Sequence, residues 1–291
     1  MAHLHIGVVA QCAQGALRSL VRAGVPVVVT VHSLWGPAAG AFRVADRLLR
    51  WGDWPVVLTA VSQAAARHVR EAVGGRVEVG VLPNGLDLAH WQVEPTPSPD
   101  GDVLVVSAMR LAPRKRPLAL LESLREVAAG LPAGTTLRAV VAGEGPQRAA
   151  MERFVRRHDL GGVELPGRLD AAQLRSLYAQ ADLYATPAVL EAFGIATLEA
   201  RAAGLPVLAR SGTGVEEFVR DGVEGLLAGS DAAFTTALRR LVTDGALRSR
   251  LAAHNRRVPP EVSWDDVVTR SVAAYEQAVQ LLPAAATSRS G

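Results

Sequence analysis

Short apolar runs of valine, leucine and alanine recur along this chain, each followed by a stretch with helical character. Between residues 102 and 227 the runs predict strands at Val103–Ser107, Leu137–Ala142, Val163–Leu165, Leu183–Ala185, Val207–Ala209 and Gly225–Leu227. Helices are expected at about Pro117–Ala129, Gln147–His158, Ala171–Ala179, Ala196–Ala203 and Gly214–Val219. Uninterrupted apolar strands are the mark of strands buried on both faces. Repeated β–α–β units imply α/β domains with doubly wound parallel sheets. Ligands in such sheets bind outside the carboxyl ends of the strands. Arg110, Gly143, Glu191 and Ser211 all follow predicted strands, so they fall on one rim.

The first 90 residues alternate as well. Strands are expected at Val25–Val31, Val56–Ala60 and Val77–Leu82, with helices at Ala39–Leu49 and Ser62–Ala72, where Ser62 suits an N-cap. Residues 92–101 are proline-rich and mark the domain boundary. The expected division is a partial N-terminal domain over 1–91, the linker 92–101, a second domain over 102–262, a closing helix over 263–282 and a disordered tail over 283–291.

Composition narrows the function classes. At 291 residues the chain has room for two modest domains, and with 49% hydrophobic but only 4% aromatic residues its core is built from Ala, Val and Leu. The net charge of +3 comes without a basic tract or basic–aromatic interleaving, which argues against nucleic acid. The mild basicity is compatible with an anionic small substrate or with an anionic membrane surface. Cys12 is the only cysteine, which rules out an internal disulfide and a cysteine-rich metal site and favours a reducing compartment. The start of the chain lacks the pattern of a signal peptide, and no run is apolar for long enough to span a bilayer. A cytoplasmic location is expected, with peripheral contact at the inner membrane face as a further option.

Two glutamates, Glu191 and Glu199, frame a loop-to-helix junction that is followed by Gly204 and a short apolar strand. The helix start near Phe193 and Gly194 offers free backbone N–H groups and a positive dipole end, which suit a phosphate. Carboxylates accept hydrogen bonds only, which suits sugar hydroxyls. From spacing alone, two solvated glutamates on a surface helix fit equally well.

The stretch from Ala185 through Glu191-Ala192-Phe193-Gly194 to Gly204-Leu205-Pro206-Val207 resembles the signature of family-4 retaining glycosyltransferases. Arg110-Leu111-Ala112-Pro113-Arg114-Lys115 resembles the Arg…Lys loop of that family, Pro83-Asn84-Gly85-Leu86-Asp87 its interdomain turn, and Gly143-Glu144-Gly145-Pro146 its loop after a central strand. The resemblance implies the GT-B fold, two facing Rossmann-like domains. It implies transfer of a sugar from a nucleoside-diphosphate donor to an acceptor hydroxyl with retention of configuration. Arg110 and Lys115 would hold the diphosphate in place of a metal, and no other cofactor is expected. Glu191 would meet the transferred sugar, and Glu199 the ribose diol. The backbone of Phe193, Gly194 and Ile195 would meet the sugar or the phosphate. His32 would lie close to the donor sugar, although an ordinary strand-end histidine fits its position too. Arg168 suits a nucleobase and a bare surface position equally. In the family the closing helix runs back toward the first domain.

Several features depart from that pattern. The family's glycine-rich opening loop and first strands are not found, so the N-terminal domain reads as incomplete and self-association through it is expected. Ala188 stands where the family usually has serine, Met109 replaces a glycine, and Thr213-Gly214 replaces a Gly-Gly pair. Three rival readings remain open: a non-catalytic nucleotide-sugar-binding module, one part of a split enzyme, and an epimerase or phosphorylase. The donor sugar, its base and the acceptor (glycan, lipid or small molecule) are not named by the sequence.

Overall fold

A computed structural model describes residues 1–8, 10–96 and 102–282. In chain order the elements are β1 (Ala2–Ile6), α1 (Gln11–Arg22), β2 (Val27–Val31), α2 (Ala39–Leu49), β3 (Val56–Ala60), α3 (Gln63–Ala72), β4 (Val79–Val81) and the short α4 (Leu88–Trp91). They continue with β5 (Asp102–Ala108), α5 (Pro117–Ala128), β6 (Thr136–Ala142), α6 (Arg148–Arg157), β7 (Val163–Gly167), α7 (Ala171–Gln180), β8 (Leu183–Ala185) and α8 (Ile195–Ala202). The last are β9 (Val207–Arg210), β10 (Gly225–Ala228), α9 (Asp231–Thr243), α10 (Gly245–Arg257) and α11 (Trp264–Gln280). The chain divides into two units. One comprises Met1–Gly85 with the segment from Trp264 onward, and the other Leu86–Ser263.

The first unit is a four-stranded parallel sheet in the order β1-β2-β3-β4. Strands that follow one another in this order, joined by right-handed crossovers, place α1, α2 and α3 on one face. The closing helix α11 covers the other, where Ala274 and Ala278 pack on Val28 and Val57. This helix therefore belongs to the first unit, the return that the resemblance implies. Local chemistry sets the helix starts: the Ser62 hydroxyl accepts from the Ala65 N–H at 3.0 Å and caps α3. The sequence reading begins its strands at residue 25, whereas the structure adds β1 and α1 before it. The reason lies in the residues. β1 interleaves His3 and His5 with its apolar positions, and α1 begins without a capping side chain.

On the α11 face, His3 Nε2 lies 2.7 Å from Thr30 Oγ1 and its Nδ1 lies 3.0 Å from the Tyr275 hydroxyl. Burial, with His5 and His32 nearby, lowers the His3 pKa from 6.5 to about 4. A depressed histidine contributes stability that is present above its unfolded pKa and lost as pH falls toward its folded one. The thermal stability of the first unit is therefore expected to fall as pH drops from 6.5 toward about 4, with a shallower slope in His3→Gln. Equal slopes for both proteins across that window would contradict the assignment.

The second unit is a six-stranded, wholly parallel sheet in the order β10-β9-β8-β5-β6-β7. All six strands expected from the apolar runs are present. The core gathers Val103, Val105, Val141 and Leu208 from one face of the sheet and, among others, Leu120, Leu124, Phe234 and Leu251 from the helices packed on it. Pro117 opens α5, as expected, and Asp170 with Gln173 forms a capping box on α7. The helix expected at Gly214–Val219 is a single 3-10 turn over Gly214–Glu217. Helices α9 and α10 were not anticipated. They are capped by Ser230 and Asp244.

The domain boundary differs from the sequence reading. The division falls at Gly85/Leu86 rather than within 92–101, and Leu86–Trp91 belongs to the second unit. The Trp91 ring, 6% exposed, packs 5.9 Å from the Tyr178 ring. The Thr96 N–H donates to the Ala179 carbonyl. Aromatic burial and backbone pairing thus hold the start of the proline-rich stretch against α7, which proline content alone does not reveal. Residues 97–101 of the expected linker and the expected tail 283–291 lie outside the described residues. Among the described residues no helix is long and apolar enough to cross a membrane.

Candidate functional site

In the second sheet the strand order reverses between β5 and β8, which are neighbours although three strands apart in sequence order. A crevice at the carboxyl ends of the strands beside such a reversal is where doubly wound sheets take ligands. The loop after β5 carries Arg110 and Lys115, and the loop after β8 carries Glu191. The two loops meet through an ion pair, in which Lys115 Nζ donates to Glu191 Oε2. Both side chains are largely shielded, at 19% and 15% exposure, so this pair is not a solvated surface contact. Of the 31 lysine and arginine residues in the chain, Lys115 is the only lysine. That singularity was a sequence signal the motif-based reading passed over.

Glycine contacts hold the neighbouring loops close. A Cβ on Gly143 would sit 1.8 Å from the Met109 carbonyl oxygen, and one on Gly214 would sit 2.0 Å from that of Ala192. The Gly214 N–H donates to the Glu191 carbonyl at 2.8 Å, which fixes the backbone of the acidic loop. Helix α8 then begins after Gly194, whose φ is +93°, and no side chain caps it. Its first N–H groups have no intrahelical acceptor, which leaves an anion-favouring helix end at this rim. Ile195 at that start is 50% exposed, while Phe193 is buried against Phe218.

Glu199 lies one turn into α8. Burial raises its pKa from 4.5 to about 7. The buried phenols of Tyr178 and Tyr184 lie near enough to feel its charge, although burial is the main cause of their own raised pKa values. Sequence reasoning missed these tyrosines, because β8 and α7 read simply as core. Stability from protonated Glu199 is full below 4.5 and lost as pH rises through about 7. A diol that donates to this group prefers the ionised carboxylate. Where Glu199 meets the ribose diol, as the resemblance implies, nucleotide affinity would rise as pH passes upward through about 7, and this part of the dependence would vanish in Glu199→Gln. Calorimetric titration of both proteins across that range checks it, and identical pH profiles would contradict it.

Not every predicted residue joins the pair. Arg110 is exposed directly after β5, and among the described residues it forms no ion pair. Arg168 is exposed after β7, two strands out from β5, on the order of 10 Å along the rim. His32 belongs to the first unit. It sits at the end of β2 with its Nε2 2.8 Å from His5 Nδ1, and partial desolvation of the ring, then the charge of His5, lower its pKa. Arg116, beside Lys115, is occupied structurally: it donates two hydrogen bonds to Asp231, at 2.7 and 2.6 Å. Among the described residues no group of three or more His, Cys, Asp or Glu side chains is arranged to hold a metal ion.

Residues 92–258 match the family described as glycosyl transferases group 1, and residues 3–90 match glycosyltransferase family 4. The chain belongs to the group 1 glycosyltransferase family. Among its relatives is the D-inositol 3-phosphate glycosyltransferase of Salinispora arenicola, 35% identical over 89% of this chain and 65% of that protein. Another is the glycogen synthase of Mycobacterium tuberculosis, 30% identical over 86% of this chain and 63% of that protein. The chain thus spans somewhat under two thirds of the length of these curated relatives. In fold it is similar to Anabaena HepE, solved in complex with UDP and glucose, with a TM-score of 0.76 at 20% identity, covering 94% of this chain and 77% of that one. The sucrose-phosphate synthase of Thermosynechococcus elongatus gives 0.74 at 22% identity, covering 94% and 73%. The fold of this group 1 glycosyltransferase is accordingly GT-B, with a parallel-sheet α/β arrangement in each unit.

Proposed function

We propose that this chain binds a nucleoside-diphosphate sugar through its second unit and moves the sugar to an acceptor hydroxyl with retention of configuration. The observation that carries the reading is the shielded Lys115–Glu191 pair across the reversal of strand order, beside the uncapped start of α8. In a nucleotide sugar the sugar is bonded directly to the second phosphate. A cation for the phosphate and an acceptor for the sugar hydroxyls must therefore be neighbours, as these two side chains are. Arg110 and Lys115 would stabilise the charge that builds on the departing diphosphate, without a metal. The α8 N–H groups would add to that field. Glu191 would accept from the sugar, and Glu199, about one turn from the helix start, from the ribose diol. Retention would follow from attack on the face the diphosphate leaves, whose oxygen takes the acceptor's proton, so that no protein base is assigned.

A non-catalytic nucleotide-sugar-binding module, or one part of a split enzyme, is the second reading, in which the six-stranded second unit binds the donor without turnover. Release of nucleoside diphosphate from a panel of nucleotide sugars tests both, and uridine donors come first because HepE is solved with UDP. Catalytic release with one donor supports the transferase. Tight binding without release supports the binding part. Neither binding nor release with any donor would sink both.

A further inference from the structure

Helix α2 presents bare apolar side chains to solvent: Val44, Leu48 and Leu49 are 54%, 79% and 51% exposed. Val44 and Leu48 stand one turn apart on the same side of the helix. Around them the surface is basic. Arg43 and Arg47 are exposed on α2, and Arg18 and Arg22 on α1, which lies on the same face of the sheet. None of these four forms an ion pair among the described residues. Residues 1–52 contain five arginines, no lysine, no glutamate and one aspartate. That aspartate, Asp46, is buried and accepts from the Gly52 N–H and from Arg76, so it does not offset the outer charge. Arg50, the fifth arginine, is neutralised by Asp53. Beneath α2 lies an apolar cavity of about 180 Å³ bordered by Leu17, Phe42, Trp35, Trp51 and Trp54, with the exposed Leu49 at its margin.

Three exposed aliphatic side chains framed by unpaired arginines, with the exposed carboxylate of Asp53 held by Arg50 and Arg76, match the chemistry of one occupant. We infer that the α1–α2 face of the first unit docks on an anionic lipid bilayer surface. Amphipathic helices bind such surfaces by sinking an apolar side among the acyl chains while Lys and Arg meet anionic headgroups. The cavity behind Leu49 gives the apolar side room to rearrange or to admit an acyl end. A second copy of the chain fits this face less well, because a self-complementary contact would bring like-charged arginines together. The inference does not depend on the donor reading, since it rests on the first unit alone.

The test is flotation of the full chain with vesicles of phosphatidylcholine alone and of phosphatidylcholine mixed with phosphatidylglycerol. The chain is expected to bind the mixed vesicles and to ignore the neutral ones. Arg43→Gln with Arg47→Gln should weaken binding about 25-fold, roughly fivefold for each charge near the surface. Val44→Glu with Leu48→Glu should weaken it by at least about tenfold, because both contact with acyl chains and charge are reversed. All four positions are exposed, so circular dichroism and thermal unfolding should match the parent protein. Nucleotide titration of the same samples keeps a failure here apart from a failure of the donor site. No binding to the anionic vesicles, equal binding to both vesicles, or binding unchanged in both variants would overturn the inference. So would a dimer in solution that Val44→Glu with Leu48→Glu converts to a monomer, because the face would then belong to self-contact.

Discussion

Replacing Arg110 and Lys115 together by alanine is expected to abolish measurable nucleotide-sugar binding while leaving the fold intact. Each charge-assisted contact to a phosphate is worth about 1.5–3 kcal/mol, so losing two weakens binding by roughly a hundredfold to ten-thousandfold. Lys115→Ala should have the larger single effect, since it also leaves the shielded Glu191 carboxylate without its cation. Arginine is not an adequate substitute at this position, because a wide planar fork replaces a compact ammonium in a closed contact. Arg114→Ala, one residue before Lys115, serves as the comparison and should change little. Titration calorimetry with the donor selected by nucleotide release reads both effects. Parent-like affinity in the double variant would remove the phosphate assignment.

The second large effect involves no charge. Gly214→Ala would place a methyl group 2.0 Å from the Ala192 carbonyl oxygen and 2.4 Å from its carbon, both rigid backbone atoms. Relief requires the turn after β9 to move away from the loop after β8. That breaks the Gly214 N–H bond to Glu191 and shifts the start of α8. Overpacking of this kind typically costs about 1–3 kcal/mol of stability. Because the distortion falls on the site itself, nucleotide affinity should drop by more than about tenfold, as displacements near 1 Å can do. Gly161→Ala, whose added Cβ would meet nothing within 4 Å, is the control and should match the parent in both stability and binding. If Gly214→Ala binds nucleotide as the parent does, the loops are not held together in the manner described.

Much of the second unit is readable from sequence because its strands are buried on both faces. Val103–Val106 and Ala139–Ala142 are unbroken apolar runs, and helices such as α5 start at recognisable residues such as Pro117. The first unit is less readable. In β1, His3 faces α11, where hydrogen bonds to Thr30 and Tyr275 make histidine compatible with partial burial, while the exposed His5 meets His32. No local pattern announces a partner 272 residues away. The domain boundary was misplaced for a similar reason. Proline content marks 92–101, but the packing of Trp91 on Tyr178 attaches the chain to the second unit earlier. At the site, the resemblance to the family pointed to Arg110, Lys115, Glu191 and Glu199. Spacing did not supply their arrangement: that Lys115 and Glu191 pair directly follows from the strand order, and that Glu199 is held near neutrality follows from the burial around it.

Because Lys115 is the only lysine, its ε-amine can be observed alone. Reductive methylation with isotope-labelled formaldehyde adds two methyl groups and keeps the positive charge. The labelled chain then gives one side-chain N-methyl resonance apart from that of the N-terminal amine, and titration with the nucleoside-diphosphate sugar can be followed at that signal. If the diphosphate binds where the second sheet reverses its strand order, the resonance shifts in a saturable manner, at the same nucleotide concentration that calorimetry gives. The companion Glu191→Gln variant should show a different starting position, because its ion pair is gone. A saturable nucleotide that leaves the Lys115 resonance unmoved would place the binding site elsewhere and contradict the account.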